Sequence, residues 1–229
     1  MSYRSRLFIV ALLALLVLLP QAAPRPAQAN TGEVICFEDK TPYCLTGRFL
    51  DYWRQNGGLP VFGYPISLFQ NEANPDTGKT YLTQWFERNR FEMHPENRAP
   101  YDVLLGRLGD QRLRQLGRDW RREYESRPIN ADCTAVNVDN LQFAVCEPFR
   151  TYYNTHGLEF DGRSSISPAE SLALFGLPLT QAKMETNSSG DRVLTQWFER
   201  ARFEYHPTNP DPYKVLLGRL GAEVRGNAR

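Results

Sequence analysis

The residues most able to do chemistry arrive as two matched sets. "LTQWFERNRFEMHP" (82–95) holds Glu87, Arg88, Arg90, Glu92 and His94 beside Trp85; "LTQWFERARFEYHP" (194–207) holds Glu199, Arg200, Arg202, Glu204 and His206 beside Trp197. Two carboxyls about 5–10 Å apart can cleave a glycosidic bond. The interleaved arginines oppose that use, because a nearby guanidinium lowers a carboxyl pKa and a general acid needs it raised. The simpler reading is Glu–Arg pairing across strands on a wet face. His94 and His206 each stand before a proline at a strand end, and no HExxH or cysteine knuckle supplies further metal ligands. They are expected to bond backbone carbonyls. There is no GxSxG elbow, no SxxK and no glycine-rich phosphate loop. No catalytic, cofactor-binding or metal-ligating residue is therefore assigned.

The aromatic residues allow a different use. Trp85 and Phe86, like Trp197 and Phe198, are adjacent, so strand alternation sends them to opposite faces. An exposed ring flanked by Gln, Arg and Glu suits sugar recognition, by apolar contact with the ring C–H face and hydrogen bonds to hydroxyls. The candidate contacts are Tyr64, Trp85, Arg88, Trp197 and Arg200. The competing reading buries both faces, as large aromatics usually are.

These residues sit inside an internal repeat, the strongest signal in the chain. Residues 82–109 recur as 194–221 without a gap, differing only at positions 89, 93, 96, 98, 99 and 102. Upstream, "FGYPIS" (62–67) corresponds to "FGLPLT" (175–180), and "FLDYWRQNGG" (49–58) to "FRTYYNTHGL" (149–158). The aromatic segments predict short helices, opened by Thr46 and Pro148 and ended by Gly57 and Gly157. An insertion in the second copy carries "SPAE" (167–170), a capping box with proline at the first helical position, which predicts a helix ending at Gly176. FGxP predicts a turn. "YLTQWF" and "RFEMHP" predict a hairpin turning within 87–90. A register with Phe86 opposite Phe91 is preferred to one with Glu87 opposite Glu92, since like charges repel. "VLLGRLG" predicts a helix, continued in the first copy through Leu113, Leu116 and Trp120. Its glycines cost about 1 kcal/mol each. The Arg-rich run 112–127 is expected as a solvated helix face or linker.

Compartment follows from the first residues and the cysteines. Arg4 and Arg6 precede an unbroken apolar run (7–19), and "AQA" (27–29) fits a cleavage site. The run is shorter than the about 20 residues of a membrane span. The expectation is an export signal at 1–29, touching the membrane only if it is left uncleaved. Its loss removes three arginines and takes the net charge from +1 to −2, which offers no field for nucleic acid. Four cysteines in an exported chain suggest two disulfides. Of three pairings, Cys36–Cys44 and Cys133–Cys146 are preferred, because each pair precedes an equivalent aromatic segment.

The order "YWRQNGGLPVFGYPIS…QWFERNRFEMHP…VLLGRLG" resembles the LGFP-type repeats of secreted bacterial cell-envelope proteins. Comparable places are held by Trp53, Gly57, Gly58, Gly63, Pro65, Phe86, Phe91, Val103, Gly106 and Leu108, and by Gly157, Gly176, Pro178, Phe198, Phe203, Val215, Gly218 and Leu220. FGYP and FGLP stand in place of LGFP. The resemblance implies attachment to cell-wall polysaccharide. The expected protein is α+β, with units at 30–127 and 128–229, each a short helix, FGxP turn, β-hairpin and C-terminal helix. It is secreted, envelope-associated and non-enzymatic, with polysaccharide or a surface protein as partner. The alternatives are a glycosidase-like hydrolase using the repeated glutamates, and a protein–protein adaptor.

Overall fold

The computed structural model describes residues 32–226, so the export signal expected at 1–29 lies outside the described residues. What is described is mixed α+β, with four small antiparallel sheets and six helices. Among the described residues no helix is long and apolar enough to cross a membrane.

Two ribbons carry the cysteines. Strands β1 (Val34–Cys36) and β2 (Cys44–Thr46) put Cys36 opposite Cys44; β7 (Cys133–Val138) and β8 (Leu141–Cys146) put Cys133 opposite Cys146. Both expected disulfides are formed, leaving no free thiol to bind zinc. Each ribbon leads into an aromatic helix, α1 (Gly47–Gln55) or α4 (Phe149–Thr155). Thr46 does occupy the cap position of α1, but its hydroxyl donates to the Glu33 carbonyl instead of capping an amide. α2 (Gly58–Phe62) and α5 (Pro168–Phe175) follow. The capping box of α5 is complete: Ser167 Oγ accepts from the Glu170 N–H, and the Glu170 carboxylate accepts from the Ser167 N–H. Gly63 (φ 78°) and Gly176 (φ 76°) end α2 and α5 in a region that disfavours any side chain.

The FER strings lie in two four-stranded meanders. One runs β3 (Gln70–Ala73), β4 (Thr80–Trp85), β5 (Arg90–Met93), β6 (Val103–Leu105); the other runs β9 (Lys183–Thr186), β10 (Arg192–Trp197), β11 (Arg202–Tyr205), β12 (Val215–Leu217). Two expectations are corrected here. "VLL" is a strand and not the start of a helix: Val103 and Leu105 pair with Met93 and Phe91, and Val215 and Leu217 with Tyr205 and Phe203. Helices α3 (Leu108–Gln115) and α6 (Leu220–Val224) begin only after the strand. The hairpin register also differs. Trp85 faces Arg90 and Gln84 faces Phe91, with Trp197 and Arg202 paired likewise. The Phe86 N–H donates to the Asn89 carbonyl, so Glu87 and Arg88 form the tip. Their N–H groups donate to Tyr64 O and Phe62 O. The FGxP segment therefore sets the turn, and cross-strand charge does not. Phe86 still meets Phe91, ring centroids 4.1 Å apart.

The core grows from the repeated phenylalanines. Phe62, Phe86 and Phe91, with Phe175, Phe198 and Phe203, are all fully buried. Each contributes about 1.5–3 kcal/mol on the usual burial scale. Helix α3 stops at Gln115, short of Trp120, and Gly117 turns the chain at φ 69°. Beyond α3 the Arg-rich run is a linker with most of its arginines exposed, as one of the two readings had it, but it is pinned by its aromatics. Trp120 is buried against Phe143, and Tyr124 Oη donates to the Gln142 carbonyl.

The second glycine of each GRLG string, Gly109 and Gly221, marks where the two sequence repeats touch. A Cβ on Gly109 would lie 1.9 Å from the Phe198 carbonyl oxygen, and one on Gly221 would lie 1.9 Å from that of Phe86. The Gly109 N–H donates to Glu199 O at 3.0 Å, and the Ala222 N–H to Glu87 O at 3.0 Å. Arg107 reaches the Glu199 carboxylate at 3.0 Å, and Arg219 reaches that of Glu87 at 2.9 Å. Each helix start is thus seated on the hairpin tip of the other half.

Candidate functional site

The repeated carboxylates are committed to structure. Glu87 accepts from Arg219 on Oε1 and from the Tyr64 N–H on Oε2. Glu199 does the same with Arg107 and the Leu177 N–H. Glu92 Oε1 accepts from Arg90 and its Oε2 from Asn74 Nδ2; Glu204 accepts from Arg202 and Asn187 Nδ2. The pairing is Glu–Arg, but Arg90–Glu92 and Arg202–Glu204 join residues two apart on one strand and not across strands, and these four residues are buried where a wet face was expected. His94 and His206 do not bond carbonyls through their rings: each places Nε2 3.5 Å from the buried carboxylate two residues before it.

Trp85 and Trp197 are only 5 % and 2 % exposed. Their indole N–H groups donate to Glu72 and Glu185 at 2.8 Å, and Arg90 and Arg202 lie 5.1 and 4.9 Å from the ring centres. Neither ring offers a face to a ligand, which corrects the exposed-platform expectation. The cause is the register: a tryptophan opposite an arginine at the hairpin end is roofed by the α3–α6 side of the molecule, where Leu108 and Leu220 pack in the same cluster.

Tyr64 and Arg88 are placed otherwise. They line an open groove of about 500 Å³ together with Tyr152, His156, Pro212 and Tyr213. Tyr213 is 56 % exposed. His156 stacks on Tyr152, centroids 4.0 Å apart, and burial pushes its imidazole below the ordinary value. Burial likewise raises the Tyr152 phenol to about 12, so it stays a neutral donor. Arg88 gives Nε to the Leu217 carbonyl, with Glu87 3.8 Å away, and burial lowers its pKa. Arg200 lines a second cavity of about 310 Å³, with Tyr52, Tyr101, Leu158 and Phe160. The five candidates thus divide: Tyr64 and Arg88 at one groove, Arg200 at another, and both tryptophans in the core.

Tyr152, His156 and Tyr213 were missed by sequence reasoning. The signal was present, since Tyr101 and Tyr213 are identical across the copies and stay polar-tipped aromatics outside any strand pattern. What was lacking was any indication that α4 and the 212–217 segment would face the first hairpin. Among the described residues Glu159, Asp161 and Glu170 lie close enough to share an ion, but Glu159 and Glu170 oxygens already accept backbone N–H groups of their own loop. No family model, curated protein or solved structure matches this chain.

Proposed function

We propose that this is a secreted, non-enzymatic binding protein of the cell envelope, built of two homologous LGFP-like units, that holds polysaccharide in the groove between Tyr64, Tyr152 and Tyr213. The observation that carries this reading is the groove itself. It is open, walled by three tyrosines and a stacked histidine, and rimmed by Arg88 and Glu87. Aromatic walls with a few oriented polar groups are the usual make-up of a sugar subsite. The two-unit reading draws on the sheets, which have the same strand order and equivalent pairings at Trp85–Arg90 and Trp197–Arg202. Export is supported by the two disulfides. The hydrolase alternative is weakened because Glu87, Glu92, Glu199 and Glu204 each have both oxygens engaged by charged or amide donors.

Retention on insoluble cell-wall polysaccharide tests the reading. Tyr213→Ala should weaken retention by about threefold to tenfold, the worth of one aromatic contact, and Tyr64→Ala with Tyr213→Ala should abolish it. Both variants should unfold at the wild-type denaturant midpoint. Unchanged retention removes the groove as the site. Co-purification of a protein with no glycan retention replaces the reading with the adaptor.

A further inference from the structure

The groove at Tyr101 is the repeat counterpart of the groove at Tyr213, and it is as open. Tyr101 is 52 % exposed, against 56 % for Tyr213, and lines a cavity of about 310 Å³. Both repeats build it: the first supplies Tyr52, Tyr101 and Val103, the second Phe160 and Arg200. Tyr101 and Phe160 make a tilted aromatic pair, ring centroids 4.9 Å apart.

The two grooves differ in what holds the arginine. Arg88 gives Nε to the Leu217 carbonyl at 3.1 Å, and its Nη1 reaches the Leu59 carbonyl at 3.5 Å. Arg200, its counterpart in the repeat, makes no side-chain hydrogen bond among the described residues; its guanidinium lies 3.5 Å from Glu199 Oε2. That carboxylate already serves closer donors, Arg107 at 3.0 Å on Oε1 and the Leu177 N–H at 3.1 Å on Oε2. The Tyr52 hydroxyl is fully buried and likewise has no partner among the described residues. A buried hydroxyl left unpaired is costly, and native interiors rarely keep one. The two acids that line the groove are engaged within the protein, Glu92 by Arg90 and Asn74, and Asp76 by Arg114 at 3.0 Å. They leave the donors of Arg200 and Tyr52 without an acceptor.

We propose that the Tyr101 groove is a second glycan site, specific for a sugar that carries a carboxylate, a uronic acid. The inference rests on the polysaccharide reading above and adds a second ligand class to it. Tyr101 and Phe160 give apolar rings to the C–H face of the pyranose. Arg200 gives a planar fork that matches a carboxylate. Burial holds the Tyr52 phenol well above its ordinary pKa, so it stays a protonated donor. Arg88, held by carbonyls, leaves the Tyr213 groove to neutral sugars.

The test is NMR of tyrosine-labelled protein, with signals assigned by single Tyr→Phe variants. The probes are tetramers of galacturonate and of glucuronate, their methyl esters, and neutral tetrasaccharides of glucose, mannose and N-acetylglucosamine. At least one acid should shift Tyr101, and its ester should bind there about tenfold or more weakly, the worth of a charge-assisted hydrogen bond. Arg200→Gln should bring acid and ester to the same affinity. Tyr52→Phe should weaken the acid by about threefold to tenfold without lowering the denaturant midpoint, because the lost hydroxyl has no partner in the protein. A lowered midpoint with unchanged affinity would make that hydroxyl structural and remove it from the site. Acid and ester binding alike at Tyr101 in the wild type overturns the carboxylate specificity. A neutral sugar that shifts Tyr213, with Tyr101 unmoved by either acid, overturns the second site and leaves the first standing. If neither Tyr101 nor Tyr213 moves with any probe, the polysaccharide reading falls and takes the second site with it.

Discussion

Glu92 and Glu204 are charges that the interior has absorbed. Their side chains are 4 % and 7 % exposed, and the paired Arg90 and Arg202 side chains 4 % and 5 %. A buried pair contributes little net stability, yet removing one partner leaves an uncompensated charge. Glu92→Ala should therefore cost about 3–5 kcal/mol in urea unfolding. The double variant Arg90→Met with Glu92→Leu should cost less than Glu92→Ala alone. If the double is the worse of the two, the pair stabilises beyond its own rescue of Arg90. The types of these residues and their repetition were legible from the first reading. Their burial was not, because a Glu–Arg pair reads the same on a wet face and in a satisfied core.

At the scale of elements, the hairpin tips and the connector after α3 are held by polar contacts that no periodicity signals. The tips are clasped to FGxP by paired N–H bonds, which accounts for the joint recurrence of FGxP and FER. The connector is held by Arg118, which pairs with Glu123 and Glu185 and lies 5.6 Å from the Trp197 ring centre. Hydrogen bonding from Arg118, aided by Lys183, holds the Glu123 carboxyl at about 2 against an ordinary 4.5. A depressed folded-state pKa stabilises above the unfolded value and loses that effect as pH falls through the folded one. The stabilisation is complete above about pH 4.5 and fades toward pH 2. Solvent at this partly exposed site limits it to about 1 kcal/mol. Glu123→Gln should thus lower the unfolding free energy by up to about 1 kcal/mol at pH 7, and by visibly less at pH 3. An equal loss at both pH values would mean that the charge is not the cause. The capping box of α5 was legible beforehand because it is local. The end of α3 was misjudged because Leu113, Leu116 and Trp120 keep helical spacing, yet Trp120 is buried by β8, a partner no local pattern names.

At the scale of the whole molecule, the halves lock through a reciprocal contact. The second glycine of each GRLG string, Gly109 or Gly221, meets a backbone carbonyl of the opposite hairpin tip, and a backbone atom cannot swing aside as a side chain can. Gly109→Ala and Gly221→Ala should each cost about 3 kcal/mol or more, by forcing the contact open. Combined, they should cost less than their sum, since opening one side relieves the other. Gly32→Ala, with nothing within 4 Å, serves as the neutral control. Full additivity in chemical denaturation would mean that the two contacts yield independently.

The amino-acid sequence by itself determined the repeat, the capping box, the FGxP turns and the mixed α+β class, and it favoured the local disulfides among three pairings. Each of these is set by neighbours within a few residues or by self-comparison. The tertiary structure alone decided that Trp85 and Trp197 are core, that Glu92 and Glu204 are buried, and that Tyr64 and Arg88 meet Tyr152 and Tyr213 in one groove. Those facts depend on which faces meet across the two halves. The meeting is governed by two glycine–carbonyl contacts between segments far apart in the chain, and local propensity carries no information about such distant shape.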